Sequence, residues 1–397
     1  MMQHREKLRK KAICAGHICL DITPAFHNQR YREIGELLIP GRLIDMDKAS
    51  VSLGGSVANT GIGMKLLGCD VEVLGKIGKD AFGQIVRREL EKYGIRGQLM
   101  IQSAIGNTSY SVILAPAGID RIILHHAGAN HEFVVDDLNL EEIKKADLFH
   151  FGYPPLMRSM YRENGKEMIR LLKTIHNLGT AISVDMAMFE EDAEAGHQDW
   201  NRILKEALPY IDFFLPSIEE LCMMLDRERY HTWLQRAEGR DITEVLNIEE
   251  DVRPLADQLL SYGAKIVLIK CGSPGIYLRT ASRGQLLSIQ SIIKGEDVKA
   301  WADKEIFEPS YRVEKVVSGT GAGDTTIAAF LASILEGYSC DECLHLAAAA
   351  GAVCVGTYDA LSGMVPLTEL KKKIDSGWEK NNQQIITRRY YYVSKSE

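Results

Sequence analysis

Short apolar runs alternate with longer stretches in which apolar residues recur every third or fourth position through most of this chain. The short runs predict strands at 12–20, 71–75, 148–152, 181–185, 213–215 and 266–270, several bounded by glycine or proline. The longer periodic stretches predict helices at 55–67, 81–93, 163–177, 218–225, 254–262, 324–337 and 340–355. Such alternation predicts an α/β fold, a mainly parallel central sheet with helices on both faces. Two stretches, about 23–52 and 97–127, break the rhythm. The second holds two apolar runs, 108–115 and 119–125, around Pro116-Ala117-Gly118, which predicts a β-hairpin. The tiny side chains of Ala347 to Ala350, Gly351 and Ala352 suit a helix packed close to a strand or a flat ligand.

Composition narrows the setting. With 397 residues the chain can form one large α/β domain or two smaller ones, and 46% apolar residues suffice for a sizeable core. A net charge of −7 lends no support to a nucleic-acid or anionic-membrane partner. Apolar runs fall short of a membrane span, and the basic start at 1–11 leads into too short an apolar run for a signal peptide. The expectation is a cytoplasmic protein. Eight cysteines in a chain this long do not make a disulfide scaffold. Cys340 and Cys343 form a lone Cys-x-x-Cys with no second pair for zinc, and His125, His126 and His131 read as structural.

The densest candidate chemistry is Gly319-Thr320-Gly321-Ala322-Gly323-Asp324, between the apolar-rich run 313–317 and an apolar helix. A strand, a glycine turn and a helix are the expected arrangement. Glycines let successive N–H groups point at one spot, and the helix N-terminus adds positive partial charge there. Such a concavity holds phosphate, or the charge on a phosphoryl group in transfer. A carboxylate at Asp324 would repel phosphate, so its useful role is to accept a proton from an attacking hydroxyl. A plain glycine turn before a helix is the competing reading. The segment is neither a Walker loop nor the dinucleotide fingerprint. A second glycine cluster, Gly54-Gly55 with Asn59, precedes the helix predicted at 55–67.

Together these residues resemble the PfkB (ribokinase-like) family of carbohydrate kinases. Gly54, Gly55 and Asn59 are similar to its first signature and Gly321, Ala322, Gly323 and Asp324 to its second. Gly78-Lys79-Asp80-Ala81-Phe82-Gly83 is similar to a conserved segment between them, and the resemblance spans roughly 12–370. It implies a single kinase domain over 1–397, in which 23–52 and 97–127 form a small β-sheet lid that excludes water. It implies Asp324 as general base and the Gly321, Ala322 and Gly323 amides as anion hole. Asp21, Gly54, Gly55, Asn59 and Arg121 would meet the sugar, with Asn130 a softer contact. Ser217 and Glu220 resemble an Asn-x-x-Glu motif in which the glutamate holds Mg²⁺ through water. A helix-start preference for acidic residues is the competing reading of Glu220. Lys270, Gly272 and Gly275 resemble the turn beneath ATP, which a simple hairpin would also explain.

The departures are Ser318-Gly319-Thr320 for the usual Asp-Thr-Thr, Ser217 for Asn, and Asp185-Met186-Ala187 for Asp-Pro-Asn. They leave details of Mg²⁺ and of a monovalent cation open. The expected substrates are ATP and a small-molecule sugar bearing a hydroxymethyl group, with a homodimer through the lid as the partner expectation. A nucleoside acceptor, for which Tyr31 and Tyr110 are the candidate lid aromatics, and a non-catalytic binding protein are the alternatives. The long segments 227–251 and 292–311 read as surface elaborations, with Trp301 or Phe307 a candidate flank for the adenine.

Overall fold

The computed structural model describes residues 10–27, 30–119, 121–293 and 297–381. The basic start, part of the segment 292–311 and the aromatic end of the tail lie outside them. Fourteen strands follow in chain order: β1 (Lys11–Gly16), β2 (Cys19–Ala25), β3 (Asp47–Gly54), β4 (Asp70–Leu74), β5 (Lys76–Ile77), β6 (Ile101–Gln102), β7 (Tyr110–Leu114), β8 (Ile122–His126), β9 (Leu148–Gly152), β10 (Ala181–Asp185), β11 (Phe213–Phe214), β12 (Ile266–Lys270), β13 (Gly275–Thr280) and β14 (Glu305–Pro309).

An eight-stranded sheet in the order β14-β13-β12-β11-β10-β9-β1-β4 forms the centre. Pairings from β4 across to β12 are parallel, and β12/β13 and β13/β14 are antiparallel. Helices cover both faces, so central strands such as Leu148–Gly152 and Ala181–Asp185 are buried throughout. One core cluster includes Phe149, Phe151, Trp200 and Trp233, and another includes Phe213, Leu268 and Phe330 on the opposite faces of the same strands. The helix Ala322–Glu336 packs along Cys340–Cys354, where a Cβ on Gly351 would lie 2.5 Å from Thr326 Oγ1. The small-residue run thus serves helix–helix contact.

The second sheet, ordered β3-β2-β7-β8, is the lid, and β7/β8 is the expected hairpin. The apolar run at 12–20 is not one strand. The chain turns at Gly16, pressed against Gly152 of β9, and β2 leaves for the lid sheet. Asp21 therefore belongs to a lid strand rather than to the end of the first core strand. The run 313–317 is not a strand either; it carries Glu314 and Lys315 and crosses the surface irregularly before the glycine turn. Trp301 is buried against Phe330, with ring centroids 6.2 Å apart, so it builds the core and flanks no nucleotide. Within 227–251, the helix Arg227–Ala237 buries Trp233, whose Nε1 donates to Asp251 at 2.9 Å. Trp378 stacks on Tyr311 at 4.7 Å, which docks the start of the tail on the domain.

Candidate active site

Gly321 adopts φ +76°, the left-handed conformation that glycine takes without a steric cost, and starts the helix Ala322–Glu336. That turn places Asp324 in the first helical turn, buried to 4% exposure. Three side chains donate to its carboxylate. Asn59 Nδ2 reaches Oδ2 at 3.0 Å, Thr60 Oγ1 reaches Oδ1 at 3.4 Å, and the Tyr153 hydroxyl lies 2.8 and 2.9 Å from the two oxygens. Asn59 comes from the helix Ser56–Leu66, 265 residues earlier in the chain. Burial pushes the Asp324 carboxyl above its usual range, while Asn59, Lys270 and Tyr153 pull it back down. A buried carboxylate raised in this way suits proton abstraction.

Lys270, at the end of β12, points beneath the glycine turn: its Nζ lies 3.6 Å from where a Cβ on Gly323 would stand. It donates to Asp185 Oδ1 at 2.6 Å, an almost fully buried pair. Burial pushes the Asp185 carboxyl well above its usual range against the pull of Lys270. Burial works against the charge of Lys270, but Asp185, Glu220 and Asp324 hold it above the ordinary lysine range. One cation thus sits among three carboxylates beside the proposed anion hole.

Glu220 occupies the first turn of the helix Ile218–Leu225 and forms a reciprocal capping box with Ser217. The Ser217 N–H donates to Glu220 Oε2 at 2.7 Å, and the Glu220 N–H donates to Ser217 Oγ at 3.2 Å. Capping accounts for one carboxylate oxygen; Oε1 takes no hydrogen bond among the described residues and remains open to a metal-bound water. Its neighbour Glu219 is pushed up to about 7 by burial, then by Asp241 and Glu220.

Among the residues expected to meet the acceptor, β2 and β3 bring Asp21 flush against Gly54, where a Cβ would fall 2.1 Å from Asp21 Oδ2. Gly55 meets His17 in the same way. Burial raises the Asp21 carboxyl, and Cys19 Sγ donates to its Oδ1 at 3.3 Å. Arg121, from the lid, donates to Thr320 Oγ1 just before the anion hole. The lid also meets the core where His17 Nε2 and His125 Nε2 approach to 3.2 Å.

Some expectations find other work. The space that a Cβ on Gly272 would fill is taken by Thr243, and that on Gly275 by the Glu308 carbonyl. These glycines admit protein neighbours, and the segment is the antiparallel β12/β13 hairpin. Asn130 is fully engaged in scaffolding: it accepts the Ile18 N–H and donates to the Ile18 and Ala127 carbonyls. Tyr153 and Thr60 escaped sequence reasoning. Tyr153 follows the apolar run of β9 directly, at the C-terminal edge where open α/β sheets place ligand contacts, and that position was the available signal.

A family model described as pfkB family carbohydrate kinase matches residues 13–366. The chain is 25% identical over 337 residues to a 5-dehydro-2-deoxygluconokinase of Clostridium perfringens, covering 84% of this chain and 87% of that one. It is 27% identical over 361 residues to a ribokinase of Arabidopsis thaliana, covering 89% and 80%. The solved structure of Arabidopsis thaliana ribokinase complexed with ribose and ATP superposes with a TM-score of 0.66 at 22% identity, covering 92% of this chain and 98% of that one. That likeness shows a shared ribokinase-like fold.

Proposed function

This chain belongs to the PfkB family of carbohydrate kinases, and on that footing we propose that it moves the γ-phosphoryl group of ATP to a hydroxymethyl group of a sugar or sugar derivative. The observation that carries this reading is the convergence of Asn59, Thr60 and Tyr153 on a buried Asp324 directly after the Gly321–Gly323 turn. Asp324 takes the hydroxyl proton as the oxygen attacks phosphorus. The amides of Gly321, Ala322 and Gly323 face the charge that builds on the phosphoryl oxygens, with Lys270 beneath them. Asp21 accepts hydroxyl hydrogens of the acceptor, while Gly54 and Gly55 make room for the Asp21 carboxylate and for His17. Glu220 is the residue that would hold the waters of Mg²⁺, whose chemistry is to neutralise phosphate charge.

The relatives named 5-dehydro-2-deoxygluconokinase and ribokinase support a sugar acceptor. Of the two lid aromatics considered for a nucleoside, Tyr110 is already engaged with Phe82 and His126, each at 5.5 Å. Exposed Val51, Ile123 and Leu124 on the lid strands support pairing of two copies through this sheet. The test is ATP consumption across pentoses, hexoses, sugar acids, inositols and nucleosides, repeated with Asp324→Asn. A sugar or sugar acid should stimulate turnover, and the variant should lose about 10²–10⁴-fold while still binding ATP. Stimulation by nucleosides alone would move the acceptor class. Near-normal turnover in the variant would remove Asp324 from the mechanism.

A further inference from the structure

Each carboxylate oxygen accepts two hydrogen bonds in comfort. Three donors meet the Asp324 carboxylate: Thr60 at Oδ1, Asn59 at Oδ2, and the Tyr153 hydroxyl across both oxygens. An incoming hydroxyl that takes the place of the phenol has to displace it from at least one of the two oxygens. The group in the way is the Tyr153 phenol, whose single hydrogen is shared between both oxygens at nearly equal distance.

The backbone makes this placement deliberate. Tyr153 has φ +64°, one of five non-glycine residues with positive φ among the described residues. Pro154 follows it, and a residue before proline favours extended backbone. The strain is held by the Tyr153 N–H to the Asp185 carbonyl at 3.2 Å and by the Leu156 N–H to the Tyr153 carbonyl at 3.0 Å. Such outliers persist where the surroundings over-determine them, and they gather at functional sites. Here the outlier aims a ring at the base.

We propose that Tyr153 is a positioning residue that stands in for the acceptor hydroxyl, covering Asp324 in the empty site and yielding one carboxylate oxygen only when an acceptor docks. The inference rests on the reading of Asp324 as the base. Its function is discrimination against water. A water molecule that displaced the phenol would exchange one hydrogen bond for another and gain nothing. A sugar brings binding energy from its other hydroxyls, at Asp21 and beside Gly54, and that energy drives the displacement. Because the phenol bridges both oxygens, it can release one and keep the other, still orienting the base. In transfer, the acceptor O–H proton passes to Asp324, its oxygen bonds to the γ-phosphorus, and the bond to the β,γ-bridging oxygen breaks with its electron pair leaving on ADP. Asp324 then returns the proton to solvent. Hydrolysis is the same sequence with water as acceptor.

The test compares wild type, Tyr153→Phe, Asp324→Asn and the double variant, using MgATP with and without the acceptor found by the screen. Tyr153→Phe should raise acceptor-independent ATP hydrolysis relative to transfer by about 10-fold or more, and lower the acceptor KM. Loss of the phenol donor should also move the acid limb of the kcat/KM profile up by about one to two pH units, since the carboxylate loses a bond that favours its charge. The titratable and charged groups that act on Asp324 are Lys270, Glu220, Asp185, Cys19 and Cys354, and these, with the Asn59 and Thr60 donors, are unchanged in the variant. Adding Asp324→Asn should abolish the extra hydrolysis. For a variant that fails to fold, 3,5-difluorotyrosine at 153, a stronger donor, should shift the acid limb down and reduce hydrolysis further. An unchanged hydrolysis-to-transfer ratio together with a fixed acid limb, in either replacement, overturns the role of Tyr153. Full transfer by Asp324→Asn alone overturns the underlying reading of the base, whatever Tyr153 does.

Discussion

A carboxylate earns a catalytic reading from the balance of forces on it, and Asp324 and Asp21 are balanced differently. Burial raises both, yet Asp324 is compensated by three donors and a nearby cation, while Asp21 has the Cys19 thiol and the lid serine Ser111. Asp21 thus takes fewer donors than Asp324 and keeps acceptor capacity for a ligand hydroxyl. Hydroxyls of a polyol supply what is missing. Removing a charged acceptor from such bonds costs about 1.5–3 kcal/mol, so Asp21→Ala should weaken acceptor use by about 10- to 150-fold. The ATP KM should hardly move, because Asp21 sits on lid strand β2 whereas Lys270 and the glycine turn belong to the core. Steady-state kinetics with each substrate varied in turn decides it; a shift confined to ATP would place Asp21 elsewhere.

At the scale of elements, the helix Ile218–Leu225 shows how one residue can serve both a cap and a site. Glu220 closes the capping box with Oε2 and leaves Oε1 open. Glutamine also completes a capping box, so Glu220→Gln should leave thermal stability nearly unchanged. The Mg²⁺ concentration for half-maximal rate should nonetheless rise, with acceptor KM constant. A lowered melting temperature with unmoved Mg²⁺ dependence would make Glu220 a cap alone. The same scale explains what the sequence could reveal. Buried parallel strands such as Leu148–Gly152 read clearly because both faces demand apolar side chains, and the Gly321 turn reads clearly because its conformation selects glycine. The division of 12–20 into β1 and β2 does not, because it depends on contact with Gly152, far along the chain. Trp301 looks like a surface aromatic until Phe330 buries it. Tyr153 offers only its place at the C-terminal end of β9; its role arises from contact with Asp324, 171 residues away.

For the whole molecule, the question is how the lid communicates with the core. The four-stranded lid touches the proposed phosphate side through Arg121 on Thr320 and the proposed acceptor side through His17 on His125. Burial and neighbouring histidines hold His17 well below the usual imidazole range and lower His125 as well, so this second contact favours neutral rings. Arg121 is exposed, and its hydrogen bond is the link most readily removed without disturbing packing. Sheets with few buried contacts open independently of the core and at lower free energy. A hydrogen bond worth about 0.5–1.5 kcal/mol, lost in Arg121→Ala, should therefore speed amide exchange in β7 and β8 by about 2- to 10-fold. Exchange in β9, β10 and β12 should stay at the wild-type rate, since those strands open only with the global fold. Hydrogen-exchange mass spectrometry reads both regions in one experiment. Equal acceleration of lid and core would mean that Arg121 supports the entire fold. No acceleration in the lid would mean that its remaining contacts, such as His17 with His125 and Tyr110 with Phe82, hold it shut without Arg121.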